Sequence, residues 1–155
     1  MNGFSVRVLR AGDVGLLRSM LAMFGAAFAD LPTYTARQPD DVYLERLLGN
    51  PTFVGIAAVS GAQVVGGIAA YVLPKFEQAR SELYLYDLAV EESHRRQGVA
   101  TALISELRRL ATERGAYVVF VQADREDEAA VALYSKLGSP QDVVHFDFPP
   151  LELVA

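Results

Sequence analysis

The chain has 155 residues, 52% hydrophobic and 21% charged, and its 19 acidic and 14 basic residues give a formal net charge of −5. That length suits one domain, residues 1–155, with a core sizeable enough to stand without staples. The absence of cysteine excludes a disulfide framework and thiolate metal sites, and two distant histidines, His94 and His145, leave little for a zinc centre, so no metal is expected.

Apolar content this high excludes disorder. An acidic domain lacks the basic footprint of a nucleic-acid binder, and its field favours cationic partners. The longest apolar stretch, residues 64–72, falls far short of the ~20 residues a membrane span needs. The N-terminus lacks the basic-then-apolar order of a signal peptide, so the expected location is the cytoplasm.

Residues 4–10 (FSVRVLR) alternate and read as a strand. Asp13 offers an N-cap to a helix carrying Leu17, Leu21, Phe24 and Phe28 at helical spacing. Residues 30–38 read as a loop, and a short helix from Asp40 to Leu48 is stopped by Gly49 and Pro51. Residues 52–59 and 63–73 read as an antiparallel hairpin, with Gly66 and Gly67 predicting a bulge or a close backbone approach. A third strand, 81–90, runs into the polar turn 91–97, and a helix from Ala100 closes at Gly115. Residues 116–123 are nearly continuous in apolar character, as in a buried central strand. A helix over 126–137 and a last strand over 143–148 complete the order β-α-α-β-β-β-α-β-α-β. The expected fold is α/β with a mixed sheet, antiparallel first, flanked by helices on both faces.

The stretch that carries chemistry is LYDLAV (85–90) followed by EESHRRQGVA (91–100). A strand enters a turn in which Gly98 permits close approach of an anion, and a helix starts at once, its free N–H groups and dipole favouring phosphate. Arg95 and Arg96 add charge suited to phosphate oxygens. Taken alone, the turn is equally a strand-to-helix connection with two solvated arginines. It is neither a P-loop nor a dinucleotide fingerprint.

The run Arg95-Arg96-Gln97-Gly98-Val99-Ala100 matches the R/Q-x-x-G-x-G/A signature of the GNAT acetyltransferase superfamily. Residues 130–138 (AVALYSKLG) are similar to that family's later A-x-x-x-Y-x-K-x-G motif. Residues 34–58, 68–90 and 129–138 further resemble the aminoglycoside 3-N-acetyltransferases of the gentamicin/fortimicin type. The resemblance implies a GNAT-like fold and acetyl-CoA as donor. It places the pyrophosphate on backbone amides of residues 96–101 (Arg96, Gln97, Gly98, Val99, Ala100 and Thr101) and pairs pantetheine with Leu88, Ala89 and Val90, where two central strands splay. This chain departs from the family pattern at Asp127, commonly Asn, and at Ser139, often aromatic. The tail is also short, which leaves the C-terminal edge to be completed by a partner subunit in a homodimer.

Acetyl transfer to an amine needs a proton acceptor and a proton donor for the leaving thiolate. Asp87 is the candidate base. Under period-2 alternation it faces with Leu83, Leu85 and Ala89, where an uncompensated carboxylate is costly. It can equally be a substrate-binding anion. The resemblance makes Tyr134 the acid that protonates the departing sulfur, although its helical spacing with Ala130, Leu133 and Leu137 also reads as core. A polycationic acceptor would be met by Glu82, Asp124, Glu126, Asp127, Glu128 and Asp147, with Tyr34 and the 30–38 loop as a wall. Both histidines read as structural. The leading expectation is an acetyl-CoA:aminoglycoside 3-N-acetyltransferase. The rivals are a GNAT enzyme acting on a polyamine or protein lysine, and a non-catalytic acyl-CoA-binding domain.

Overall fold

The structure is a computed structural model and describes residues 3–152. The chain resolves into two compact units, residues 1–122 and 123–155.

The first unit holds a five-stranded sheet in the order β1-β2-β3-β4-β5, formed by Ser5–Val8, Phe53–Ser60, Gln63–Pro74, Ser81–Val90 and Ala116–Val121. The first four strands pair antiparallel, and β5 runs parallel to β4 after a helical crossover. One face of the sheet is covered by α1 (Val14–Ala27), α2 (Leu31–Thr35) and α3 (Asp41–Gly49), and the other by α4 (Val99–Glu113).

Both predicted properties of the β3 glycines are present. Val59 pairs with Val64 and Ala58 with Gly66, so Val65 is an extra residue in β3. A Cβ on Gly66 would stand 2.7 Å from Val99 Cγ1 of α4, and one on Gly67 would stand 2.4 Å from Met20 Sδ of α1. Two adjacent small residues thus let a helix settle on each face. The core follows: Met20, Phe24 and Ala57 are buried beneath α1, and Ile68, Leu83, Leu103 and Leu107 lie between the sheet and α4.

Residues 31–35 form a helix where a loop is expected from sequence. The Asp30 carboxylate accepts from the Thr33 N–H at 3.4 Å and Pro32 sits in the first turn, two start signals that outweigh the segment's turn-like composition. Packing fixes the short helix in place. A Cβ on Gly25 would lie 3.1 Å from the Leu31 backbone and 3.3 Å from Tyr34 Cβ, so the glycine is what lets α2 lie against α1. β5 differs too. It ends the strand order, and Tyr117 is 49% exposed, so its apolar run does not mark a central position.

In the second unit, α5 (Glu128–Leu137) begins at Asp127, whose carboxylate accepts from the Ala130 N–H at 3.1 Å. The acid standing where the family commonly has Asn therefore works as an N-cap, a role both residue types fill. Arg125 pairs with Asp142, and the Gly138 N–H closes the helix on the Tyr134 carbonyl at 2.9 Å. The expected strand over 143–148 does not form: residues 139–152 are irregular, with Phe146 73% exposed. An alternating pattern makes a strand only beside a second strand, and this unit contains none among its described residues.

Candidate active site

Asp87 lies on β4 at the point where the strand carries one residue too many. Ala69 pairs with Asp87 and the next residue, Ala70, pairs with Leu85, which leaves Tyr86 unmatched as a bulge. An extra residue reverses the side on which later side chains stand. Leu83 and Leu85 stay on the α4 face, while Asp87 joins Ala69, Tyr71, Tyr84 and Ala89 on the face of α1 and α2. The simple alternation that grouped Asp87 with Leu83 and Leu85 is therefore corrected, although Ala89 does share its face.

On that face the carboxylate is ringed by aromatic side chains. Tyr34 on α2 donates its hydroxyl to Asp87 Oδ2 at 3.3 Å. The Tyr34 ring packs against Phe24 and Phe28, at centroid distances of 5.9 and 5.7 Å, and those two rings also stack on each other. Tyr86, 60% exposed, meets Tyr71 edge-on at 5.8 Å and Tyr84 at 5.4 Å, and Tyr84 stacks on Phe120 at 4.5 Å. Burial pushes the Asp87 carboxyl above the usual carboxylate value, and the Tyr34 hydrogen bond opposes that shift. Burial and the nearby carboxylate push Tyr34 up to about 12, and burial raises Tyr71 and Tyr84, so these phenols keep their protons. A single carboxylate among π faces is suited to an organic cation. Sequence reasoning passed over Tyr71, Tyr84 and Tyr86; the YLYD run, with two tyrosines flanking the acid, was the available signal.

The donor side begins where β4 loses a neighbour. Pairing to β5 ends at Leu85 with Val121, so Leu88, Ala89 and Val90 lie beyond the ladder on that edge while still paired to β3. The following turn brings residues 95–101 to the start of α4. Arg96 has φ 59 and Gly98, the N-cap, φ 83; alternation of this kind turns successive N–H groups toward one point. No side chain caps the helix, and the Ala102 N–H is the one that reaches the Gly98 carbonyl, at 3.0 Å. The N–H groups of Val99, Ala100 and Thr101 are thus the helix's open donors. A Cβ at Gly98 would meet nothing within 4 Å, so the space over the turn is clear. Arg95 ties the turn to β4 through Nε to the Val90 carbonyl at 3.1 Å, and Gln97 bonds the Ser93 carbonyl at 2.9 Å. Arg96 is exposed. The cradle suits a pyrophosphate, and the free strand edge suits an amide-bearing arm.

The remaining expected residues are scattered. Glu82 accepts from the Tyr117 hydroxyl and lies 3.7 Å from Lys75 Nζ, so it is already engaged. Asp124, Glu126, Glu128 and Asp147 belong to the second unit, where Asp147 pairs with His145 at 2.8 Å and Asp127 is the helix cap. His94 bonds Glu91 at 2.9 Å within the turn. Tyr134 is half-buried, and burial followed by the charge of Asp127 raises its phenol above the usual value. No group of three or more His, Asp or Glu placed to hold a metal occurs among the described residues.

Known proteins share this sequence pattern and fold. The sequence model of the Acetyltransferase (GNAT) family matches residues 19–139. The crystal structure of an aminoglycoside acetyltransferase from an uncultured soil metagenomic sample is similar with a TM-score of 0.93 and 53% identity, covering 96% of this chain and 99% of that one. A second aminoglycoside acetyltransferase from an uncultured soil metagenomic sample, solved in complex with sisomicin, gives a TM-score of 0.88 and 30% identity, covering 97% and 98%. N-acetyltransferase 8B of Rattus norvegicus is 36% identical over 81 residues, which is 52% of this chain and 36% of that protein. The chain thus spans well under half the length of that relative.

Proposed function

Because the chain belongs to the GNAT acetyltransferase family, we propose that it transfers the acetyl group of acetyl-CoA to the 3-amino group of an aminoglycoside. The observation that carries the substrate class is the near full-length likeness, at 53% identity, to an aminoglycoside acetyltransferase. The choice of the 3-amino group rests on the resemblance of residues 34–58, 68–90 and 129–138.

Acetyl-CoA supplies the activated acetyl group and a thiolate leaving group when bound. The N–H groups at the start of α4 hold its pyrophosphate, Arg96 adds charge, and the free edge at Leu88–Val90 pairs with its pantetheine arm. Asp87 draws the cationic acceptor and takes the proton of its ammonium group. A carboxyl raised by burial is a better match to that proton than an exposed one, because its affinity lies closer to neutral. Tyr71, Tyr84 and Tyr86 offer the acceptor π faces and exclude water around the acid. Tyr134 keeps its proton at neutral pH and donates it to the departing sulfur. In this reading the whole chain works as a single acetyltransferase domain.

The test is thiol release from acetyl-CoA with gentamicin, kanamycin, spermidine and a lysine peptide, with the acetylated position read by NMR. The expected result is preferential turnover of an aminoglycoside and a product acetylated at the 3-amino group. Preferential turnover of spermidine or the peptide would move the enzyme to the polyamine or protein-lysine reading. Donor binding without turnover of any acceptor would make it an acyl-CoA-binding domain.

A further inference from the structure

We propose that Tyr34 is a positioning residue for the reaction: its hydroxyl holds Asp87 Oδ2, fixing the carboxylate so that Oδ1 is the oxygen offered to the acceptor amine. The inference rests on Asp87 being the proton acceptor. Among the described residues Oδ2 accepts from Tyr34 alone, and Oδ1 has no protein donor.

The fold secures this hydroxyl from several directions. The Asp30 cap starts α2, and Gly25 lets the helix lie on α1. The Gln38 amide donates to the Tyr34 carbonyl at 3.1 Å. Arg18 holds the following segment through Gln38 Oε1 at 2.8 Å, the Pro39 carbonyl at 3.0 Å and Asp41 Oδ1 at 2.5 Å. The stacked pair Phe24 and Phe28 packs against the ring. A five-residue helix anchored this heavily delivers one polar atom into an aromatic enclosure, and that atom lies on the carboxylate.

The groups facing Asp87 from the elements around it are phenols: Tyr34 from α2, Tyr71 from β3, and Tyr84 and Tyr86 on its own strand. Tyr43 of α3 stands behind Tyr71, and Asp30 behind Tyr34. Among the described residues no cation offsets the carboxylate there, and the Tyr34 hydrogen bond alone opposes the effect of burial. A bond donated to the ionised form lowers a carboxyl's proton affinity, so its removal must raise it.

Tyr34→Phe keeps the ring and its packing and deletes only the hydroxyl. The Asp87 side-chain carboxyl is titrated by carbon-13 NMR in the wild type and in Tyr34→Phe, with Asp87→Asn assigning the signal. pH profiles of kcat/KM are recorded for the same proteins. Loss of the hydroxyl should move the Asp87 titration, and the acid limb of kcat/KM with it, upward by about 0.5–1 pH unit. It should also lower kcat about tenfold, through misplacement of the base, while the acetyl-CoA KM holds. An unmoved NMR titration overturns the role of Tyr34 whatever happens to the rate. An Asp87→Asn variant that keeps full activity and the same acid limb instead removes Asp87 from proton transfer, which overturns the base assignment and the positioning role with it.

Discussion

Gly66 of β3 and Val99 of α4 touch through a missing side chain, since a Cβ on the glycine would stand 2.7 Å from Val99 Cγ1 and 3.3 Å from Leu103 Cδ1. Val99 is fully buried and, being β-branched, has little rotamer freedom with which to yield. Gly66→Ala should therefore push the start of α4 off the sheet and cost about 1–3 kcal/mol. Chemical denaturation reads the loss as a lower midpoint at unchanged m-value. Because the displaced turn is the one proposed to hold pyrophosphate, acetyl-CoA affinity should fall in the same variant, and full retention of both properties would contradict the contact.

Gly98 offers the converse case. Its φ of 83 suits glycine, yet a Cβ there would meet open space in the protein. Gly98→Ala should cost stability only about 1–2 kcal/mol, from the left-handed backbone. Donor binding should suffer more, with the acetyl-CoA KM rising at least tenfold as the methyl group occupies the space needed for close approach to the N–H groups. Calorimetry showing unchanged CoA affinity in a folded variant would remove the turn from the donor site.

Tyr134→Phe separates the proton donor from a core ring. Deleting the hydroxyl should lower kcat and kcat/KM by similar factors, with CoA affinity nearly intact. Full turnover would leave Tyr134 a packing residue of α5.

Asp87→Asn should trade activity for stability. Loss of the base should depress kcat by roughly 10²–10⁴-fold, with partial recovery at high pH where more acceptor amine is neutral. An increase confined to the acceptor KM would instead make Asp87 a binding anion. For stability, the folded protein binds the Asp87 proton more tightly than the unfolded chain does, because burial raises its pKa. Ionisation therefore weakens the fold as pH rises from the unfolded carboxylate range through the folded value, and the loss is complete above it. Asn carries no such penalty and can still accept from Tyr34. Thermal melts should place Tm of the variant above the wild type at neutral pH, with the gap closing toward pH 4 and below.

The donor turn was legible in sequence because its chemistry is local: Gly98, the arginines and a helix start lie within one short run. Asp87 was legible as a residue and misplaced as a direction, since the extra residue at Tyr86 becomes visible only when β3 lies beside β4. The α2 helix was hidden for a related reason. Asp30 and Pro32 signal a start, but five residues hold as a helix only through packing on Gly25. The pattern over 143–148 shows the reverse error, a strand-like alternation with no strand beside it among the described residues of its own unit. Sequence reports what a segment can become, and its neighbours decide whether it does.

The odd residue in β4 also bears on the order of events at the sheet. Gly66, whose Cβ would touch Val99, marks the α4 side, and Asp87 beside Ala69 marks the other. On the proposed reading, nucleotide and antibiotic thus approach through separate doors and meet at the opening in the strands beyond Leu85, so neither has to leave before the other enters. On that reading transfer is direct, from the donor to the acceptor amine with both bound together, and a sequence without cysteine offers no thiol to carry the acetyl group between them.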